Sequence, residues 1–192
     1  MAKVVGVLSL QGDFLNHIQT LAELDCEPRA VKTVAAIAEC DALVIPGGES
    51  TTIGKLLDRF GVDEAILEMH RAGKPIWGTC AGMILLAKDI VDSDQWRLGI
   101  MDITVERNAF GRQVDSFETT FPVSGIEGGD VRAVFIRAPY VREASEAAGV
   151  EVLATCEDKI VMCRQGNLLA SAFHPEMTDD RRVQQYFLDM IA

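Results

Sequence analysis

Residues 4–10, VVGVLSL, form an unbroken apolar run rich in β-branched side chains. Strict alternation would mark a strand with one wet face. A run without alternation marks a strand covered on both faces, the condition of a parallel sheet flanked by helices. Similar short runs return in DALVI at 41–45, KPIW at 74–77 and LLASAF at 168–173. Between them, apolar residues recur at helical spacing. Phe14, Ile18, Leu21 and Ala22 follow a turn at Gln11 and Gly12; Ile53, Leu56 and Leu57 follow the turn-rich PGGESTT; a further helix over 63–71 ends at Gly73. A short strand over 28–31 precedes DALVI.

Strands alternating with helices imply βαβ units and a parallel sheet. From about residue 97 the texture changes to polar–apolar alternation, at 103–106 and 116–123, with further strands over 131–136, 150–156, 160–164 and 168–173 and a closing helix over 179–191. The expected fold is α/β with three layers: a mostly parallel central sheet, helices on both faces, and an antiparallel extension. With 192 residues, no repeat and no linker, one domain spanning 1–192 is expected.

A formal net charge of −11 argues against a nucleic-acid surface, where phosphates demand Lys and Arg. The apolar run near the N-terminus is too short for a signal sequence, and no stretch is long enough to span a membrane. Cysteines stand at 26, 40, 80, 156 and 163, an odd count without CxxC spacing. That pattern points to reduced thiols and a cytoplasmic protein. No His/Cys/Asp cluster has metal-ligand spacing and no glycine-rich nucleotide motif occurs, so neither metal nor cofactor is expected.

One cysteine is set apart. In GTCAGMILLA, at 78–87, Cys80 is flanked by Thr79 and Ala81 and then by Gly78 and Gly82, after a short strand and before a helix. Small neighbours permit the strained turn of a nucleophile elbow, which lifts a thiol above the carboxyl edge of a sheet. Buried packing explains a lone cysteine equally well. A nucleophile also needs a base and an orienting group, and the histidines are His17, His70 and His174. His70 is expected on an exposed helix face, and His17 in a structural or supporting role. His174 follows the apolar LLASAF and opens HPE. In an extended segment Glu176 would share its side and orient the imidazole. Cys26, Cys40, Cys156 and Cys163 lack such surroundings and read as core or surface thiols.

The order of these segments, Cys80 and then His174 and Glu176, resembles the class I, triad-type glutamine amidotransferases. VGVLSLQGDFLNH, PGGESTT, GTCAGMILLA, RNAFGRQVDSFE at 107–118, VFIRAP at 134–139 and SAFHPEMT at 171–178 follow one another along nearly the whole chain. Together they resemble the glutaminase subunits of pyridoxal 5'-phosphate synthase, in the deoxyxylulose phosphate-independent route to vitamin B6. Ser9 stands where that family more often has alanine or glycine.

The resemblance implies a flavodoxin-like glutaminase fold and hydrolysis of L-glutamine to L-glutamate and ammonia through a γ-glutamyl thioester. It implies Cys80, His174 and Glu176 as the triad, and Gly48, Glu49, Ser50, Arg107, Ile136 and Arg137 as the L-glutamine site. It also implies Gln11, Gly47, Gly48 and Ala81 at the oxyanion position, where a Gly47–Gly48 peptide free of Cβ atoms can approach the substrate closely and flip. An arginine fork suits the α-carboxylate of glutamine. The partner implied is a synthase subunit, a large ring-shaped core decorated by glutaminase subunits, which receives the ammonia. Two alternatives stay open here: the glutaminase subunit of another amidotransferase, such as that of the histidine pathway, and a catalytically silent module with this fold.

Overall fold

The structure is a computed structural model that describes residues 2–107 and 116–192. In chain order the first half holds β1 (Lys3–Leu8), α1 (Phe14–Leu21), β2 (Cys26–Val31), α2 (Val34–Ala38), β3 (Ala42–Ile45), α3 (Ser50–Phe60), α4 (Val62–Arg71), β4 (Ile76–Thr79) and α5 (Ala81–Leu86). The second half adds β5 (Ala87–Ile90), β6 (Met101–Glu106), β7 (Ser116–Phe121), β8 (Val131–Ile136), β9 (Tyr140–Ala144), β10 (Glu151–Cys156), β11 (Lys159–Gln165), β12 (Leu168–Ser171) and α6 (Arg182–Asp189).

The main sheet runs β2-β1-β3-β4-β12-β11-β9-β6-β5, with β10 pairing on β11. From β2 through β12 every pairing is parallel. β11 turns the chain back antiparallel to β12, β10 and β9, and β9 is antiparallel to β6. A separate hairpin pairs β7 with β8. The parallel half, the antiparallel extension and the flavodoxin-like 2-1-3-4 start therefore match the expected class.

Alternation along β4 explains the layers. Trp77 is fully buried, edge-on to His17 of α1 at 5.8 Å and packed on Phe187 of α6 at 5.4 Å. Its indole N–H donates to Ser171 Oγ at 3.0 Å. The next residue, Gly78, faces the opposite layer, where a Cβ would lie 2.5 Å from the Gly82 backbone of α5. Gly82 in turn sits so close to β3 that a Cβ would lie 2.0 Å from Ile45 O. The glycines around Cys80 are thus the condition for seating α5 directly on β3 and β4.

Several elements differ from expectation. β1 stops at Leu8, and β4 lies at 76–79 because Lys74 and Pro75 belong to the approach. The helix after Cys80 ends at Leu86, and Ala87 enters β5, a strand for which the sequence gives no separate signal. The short α2 and β9 leave no period long enough to read. The closing helix begins at Arg182, not 179, because Asp179 and Asp180 form the turn before it. Most of RNAFGRQVDSFE, residues 108–115, lies outside the described residues. Among the described residues no helix is long and apolar enough to cross a membrane.

Candidate active site

Because β1, β3, β4 and β12 are adjacent and parallel, their carboxyl ends open on one edge. Ligands in such sheets bind there, at the point where successive connections leave in opposite directions. β1 delivers Gln11, β3 delivers Gly47 to Ser50, β4 delivers Cys80 and β12 delivers His174. Register keeps them level: Ile45 pairs with Gly78 and Thr79 with Ser171. The Cys80 N–H donates to Ser171 O at 2.8 Å.

Cys80 adopts φ 49°, ψ −102°, in the left-handed half of backbone space that a residue with a Cβ avoids. The elbow expected from its small neighbours is present. Its side chain reaches a cleft of about 450 Å³. Among the lining residues are Gln11, Gly47, Gly48, Glu49, Ser50, Cys80, Ala81, Arg107, Ile136, Arg137 and His174, so these sequence-selected positions are brought together. Asp13, Ile84, Pro139 and Met177 also line it, and the sequence carried no signal for them.

His174 is 7% exposed. Its N–H donates to Val134 O at 2.8 Å, which ties it to β8. Its Nδ1 lies 2.7 Å from Glu176 Oε1, leaving the other ring nitrogen for the hydrogen bond with Cys80. The route to this pairing differs from expectation. Residues Pro175–Met177 form one 3-10 turn, so Glu176 folds back onto His174 instead of sharing a strand face. Pro175 suits the first position of such a turn because its missing N–H is not needed there.

Burial opposes charge on His174, but the hydrogen bonds with Cys80 and Glu176 outweigh it and push the pKa up to about 10. Glu176, 5% exposed, is likewise opposed by burial, yet the histidines His17 and His174 hold its pKa below the ordinary carboxylate value. A buried carboxylate is tolerable when paired in this way. With its pKa raised that far, the ring carries a proton at neutral pH, and an imidazolium fixed between a sulfur and a carboxylate is suited to acyl transfer.

The other thiols differ. Burial raises the pKa of Cys26, Cys40 and Cys156, and pushes that of Cys163 up to about 12. They are core or half-buried thiols, as expected.

The cleft residues divide by what their side chains do. Glu49 caps α3, its carboxylate accepting from the N–H and hydroxyl groups of Thr51 and Thr52. The Thr51 hydroxyl bond leads in holding its pKa down at about 2. Committed to that cap, Glu49 meets the cleft through its backbone, and its N–H donates to Gln11 Oε1 at 2.8 Å. Arg107 Nη1 donates to Gln95 Oε1 at 2.6 Å, and Ser50 Oγ donates to the same oxygen at 3.2 Å. Gln95, absent from the sequence-derived set, thereby joins two elements of the site. Arg137 is exposed and has φ 43°, so this turn presents Ile136 and its own backbone to the cleft. The Gly47 carbonyl accepts from Asp13 N–H at 3.0 Å, and the Gly48 N–H, on the far side of the planar trans peptide, points away from Asp13. The Ala81 N–H, at the first position of α5, has no intrahelical partner.

His17 is fully buried against Thr79 and Glu176. His70 is only partly exposed, with Nδ1 enclosed, which corrects its expected place on an open face. Among the described residues no group of His, Cys, Asp and Glu could hold a metal ion.

The sequence matches the SNO glutamine amidotransferase family over residues 7–192. It is 54% identical over 187 residues to the pyridoxal 5'-phosphate synthase subunit PdxT of Brevibacillus brevis, covering 97% of this chain and 96% of that protein. It is 53% identical over 187 residues to PdxT of Carboxydothermus hydrogenoformans, covering 97% of each. A crystal structure of a glutamine amidotransferase superposes with a TM-score of 0.92 at 49% identity, covering 97% of this chain and 98% of that one. With the family matched over nearly its full length and the fold shared, the chain belongs to the SNO glutamine amidotransferases.

Proposed function

We propose that this chain is the glutaminase subunit of a pyridoxal 5'-phosphate synthase, with residues 1–192 forming one cytoplasmic glutamine amidotransferase domain. The observation that carries the mechanism is the buried Cys80–His174–Glu176 array opening on the cleft at the carboxyl edge of the sheet.

L-Glutamine enters with its side-chain amide carbon over the Cys80 sulfur. At neutral pH the raised pKa of His174 keeps the thiol proton on the ring nitrogen not bound to Glu176; the Cys80 sulfur attacks, and His174 gives that proton to the departing ammonia. The amides of Gly48 and Ala81 receive the developing oxyanion, where each donor is worth roughly a hundred- to thousandfold in rate. Water, deprotonated by the same imidazole, then hydrolyses the γ-glutamyl thioester to glutamate.

Arg107, held by Gln95, binds the α-carboxylate through charge-assisted hydrogen bonds, with Ser50, Ile136 and the backbone of Gly48, Glu49 and Arg137 around the rest of the substrate. Ammonia in neutral water is mostly protonated and no longer nucleophilic. It is therefore passed directly to the ring-shaped synthase core, which builds the cofactor. Gln11, bonded to the PGGES loop, couples docking of that partner to the oxyanion peptide.

The test is release of glutamate and ammonia from L-glutamine by the chain alone and with a saturating synthase subunit. Turnover that rises with the partner supports both parts; turnover from neither preparation refutes the glutaminase assignment.

A further inference from the structure

His17 is separated from Thr79 by 62 positions and from Glu176 by 159, yet its Nε2 lies 3.1 Å from Thr79 Oγ1 and 3.4 Å from Glu176 Oε2. All three side chains are buried, and His17 is 0% exposed. Glu176 Oε1 is occupied by His174 at 2.7 Å. Oε2 makes no hydrogen bond of normal geometry among the described residues, and the nitrogen recorded beside it is that of His17.

The proton on the His17 ring can be placed by exclusion. If it sat on Nδ1, it would be a buried donor without a partner, and the Nε2 lone pair would face a carboxylate. On Nε2 it points at the Thr79 hydroxyl oxygen, an acceptor, with the Glu176 carboxylate oxygen 3.4 Å from the same nitrogen, and only an acceptor nitrogen is left unpaired. Burial lowers the pKa of His17 and outweighs the opposing pull of Glu176, so the ring is neutral. Its help to Glu176 then comes from an N–H dipole and not from a full charge.

We propose, on the basis of the glutaminase function above, that His17 is a positioning residue of the triad: Thr79 holds its ring in place, and its Nε2–H fixes the second oxygen of Glu176 so that the first stays on His174. Thr79 immediately precedes Cys80, so one imidazole ties the nucleophile's strand end to the orienting carboxylate. Without it the carboxylate is free to rotate about its terminal bond, and the His174 ring loses its fixed direction toward the sulfur. A ring serving only to fill space beside Trp77 would require neither nitrogen to face these oxygens.

Two substitutions separate the cases. His17→Gln keeps an N–H donor near the Nε2 position, and His17→Met keeps the length and apolar bulk without a donor. Glutamine turnover is measured for the full chain with saturating synthase subunit. His17→Met is expected to lower kcat by about ten- to a hundredfold with KM within about twofold, and His17→Gln to stay within about threefold of the parent. Equal losses in both variants, or a parent-like kcat in His17→Met, overturn the proposal.

Nitrogen-15 NMR of the unsubstituted protein gives a reading that does not depend on the variants folding. A neutral His17 with its proton on Nε2 is required, and a proton on Nδ1 or a charged ring overturns it. If the parent itself releases no ammonia, the glutaminase assignment fails separately. The His174 Nδ1–H resonance, displaced in His17→Met and retained in His17→Gln, still decides the positioning role, and its indifference to both changes overturns that role.

Discussion

Gly47→Ala places one methyl group against the base of the proposed triad. A Cβ at this position would lie 2.5 Å from His174 Cε1, 3.3 Å from His174 Nδ1 and 3.4 Å from Cys80 Cβ. Comfortable carbon–carbon contacts lie at about 3.5–4.0 Å, so the ring or the loop must give by roughly 1 Å. Neither moves freely. The ring is held by Glu176 at 2.7 Å and its backbone N–H by Val134 O at 2.8 Å, while the Gly47 carbonyl is held by Asp13 at 3.0 Å. Gly47 is not among the positive-φ glycines, so steric conflict and not backbone strain is the perturbation. A displacement of about 1 Å between reacting groups costs on the order of a hundredfold in rate, and overpacking costs about 1–3 kcal/mol of stability. Steady-state glutamate release with saturating synthase subunit should therefore show kcat down about a hundredfold, beside a modest fall in Tm. Gly61→Ala is the control: φ is +62° with nothing within 4 Å of the added Cβ, so stability drops and kcat stays. Parent-like kcat in Gly47→Ala would refute the claim that a tightly confined His174 ring sets the rate.

His174→Asn should abolish turnover as fully as loss of Cys80, while Glu176→Gln costs somewhat less, on the order of 10³–10⁴-fold in kcat, because an orienter contributes less than the base; full activity in Glu176→Gln would remove it from the triad. Arg107→Ala should raise KM for glutamine about ten- to a hundredfold with kcat little changed, and an unchanged KM with weakened synthase docking would reassign this arginine to the interface. His174 has a folded pKa above its ordinary 6.5, so its stabilising contribution is complete below 6.5 and lost as pH rises through about 10. Melting curves should show a steeper fall in Tm over that window for the parent than for His174→Asn, and parallel curves would contradict the pairing.

How much was legible depends on whether a residue's task is local. Cys80 could be found because the elbow demands small residues beside it, and Gly78 and Gly82 sit where a Cβ would strike backbone at 2.5 and 2.0 Å. β1, β3 and β12 could be found because strands buried on both faces cannot alternate. His174 and Glu176 stood out as a pair, but the 3-10 turn that folds one onto the other did not, since HPE fits an extended segment equally well. Glu49 lines the cleft, although its carboxylate is spent on capping α3. His17 and Gln95 make contacts across 159 and 45 positions respectively, to Glu176 and to Ser50, and a single sequence carries no period or spacing that reports such contacts. The brief β5, α2 and β9 were missed for a related reason: four or five residues are too few for a period to register.

The central claim is that Cys80, alone among five thiols, is the nucleophile poised for a glutamine side chain. Its most direct test is peptide mapping by mass spectrometry after exposure to a glutamine-mimicking electrophile, with and without excess L-glutamine. A single adduct on Cys80 that L-glutamine suppresses and that His174→Asn prevents is predicted. Cys26 and Cys156, half-buried with raised pKa values, should remain unmodified on the same timescale. Modification of either in place of Cys80, or labelling of Cys80 that L-glutamine does not protect, would contradict it.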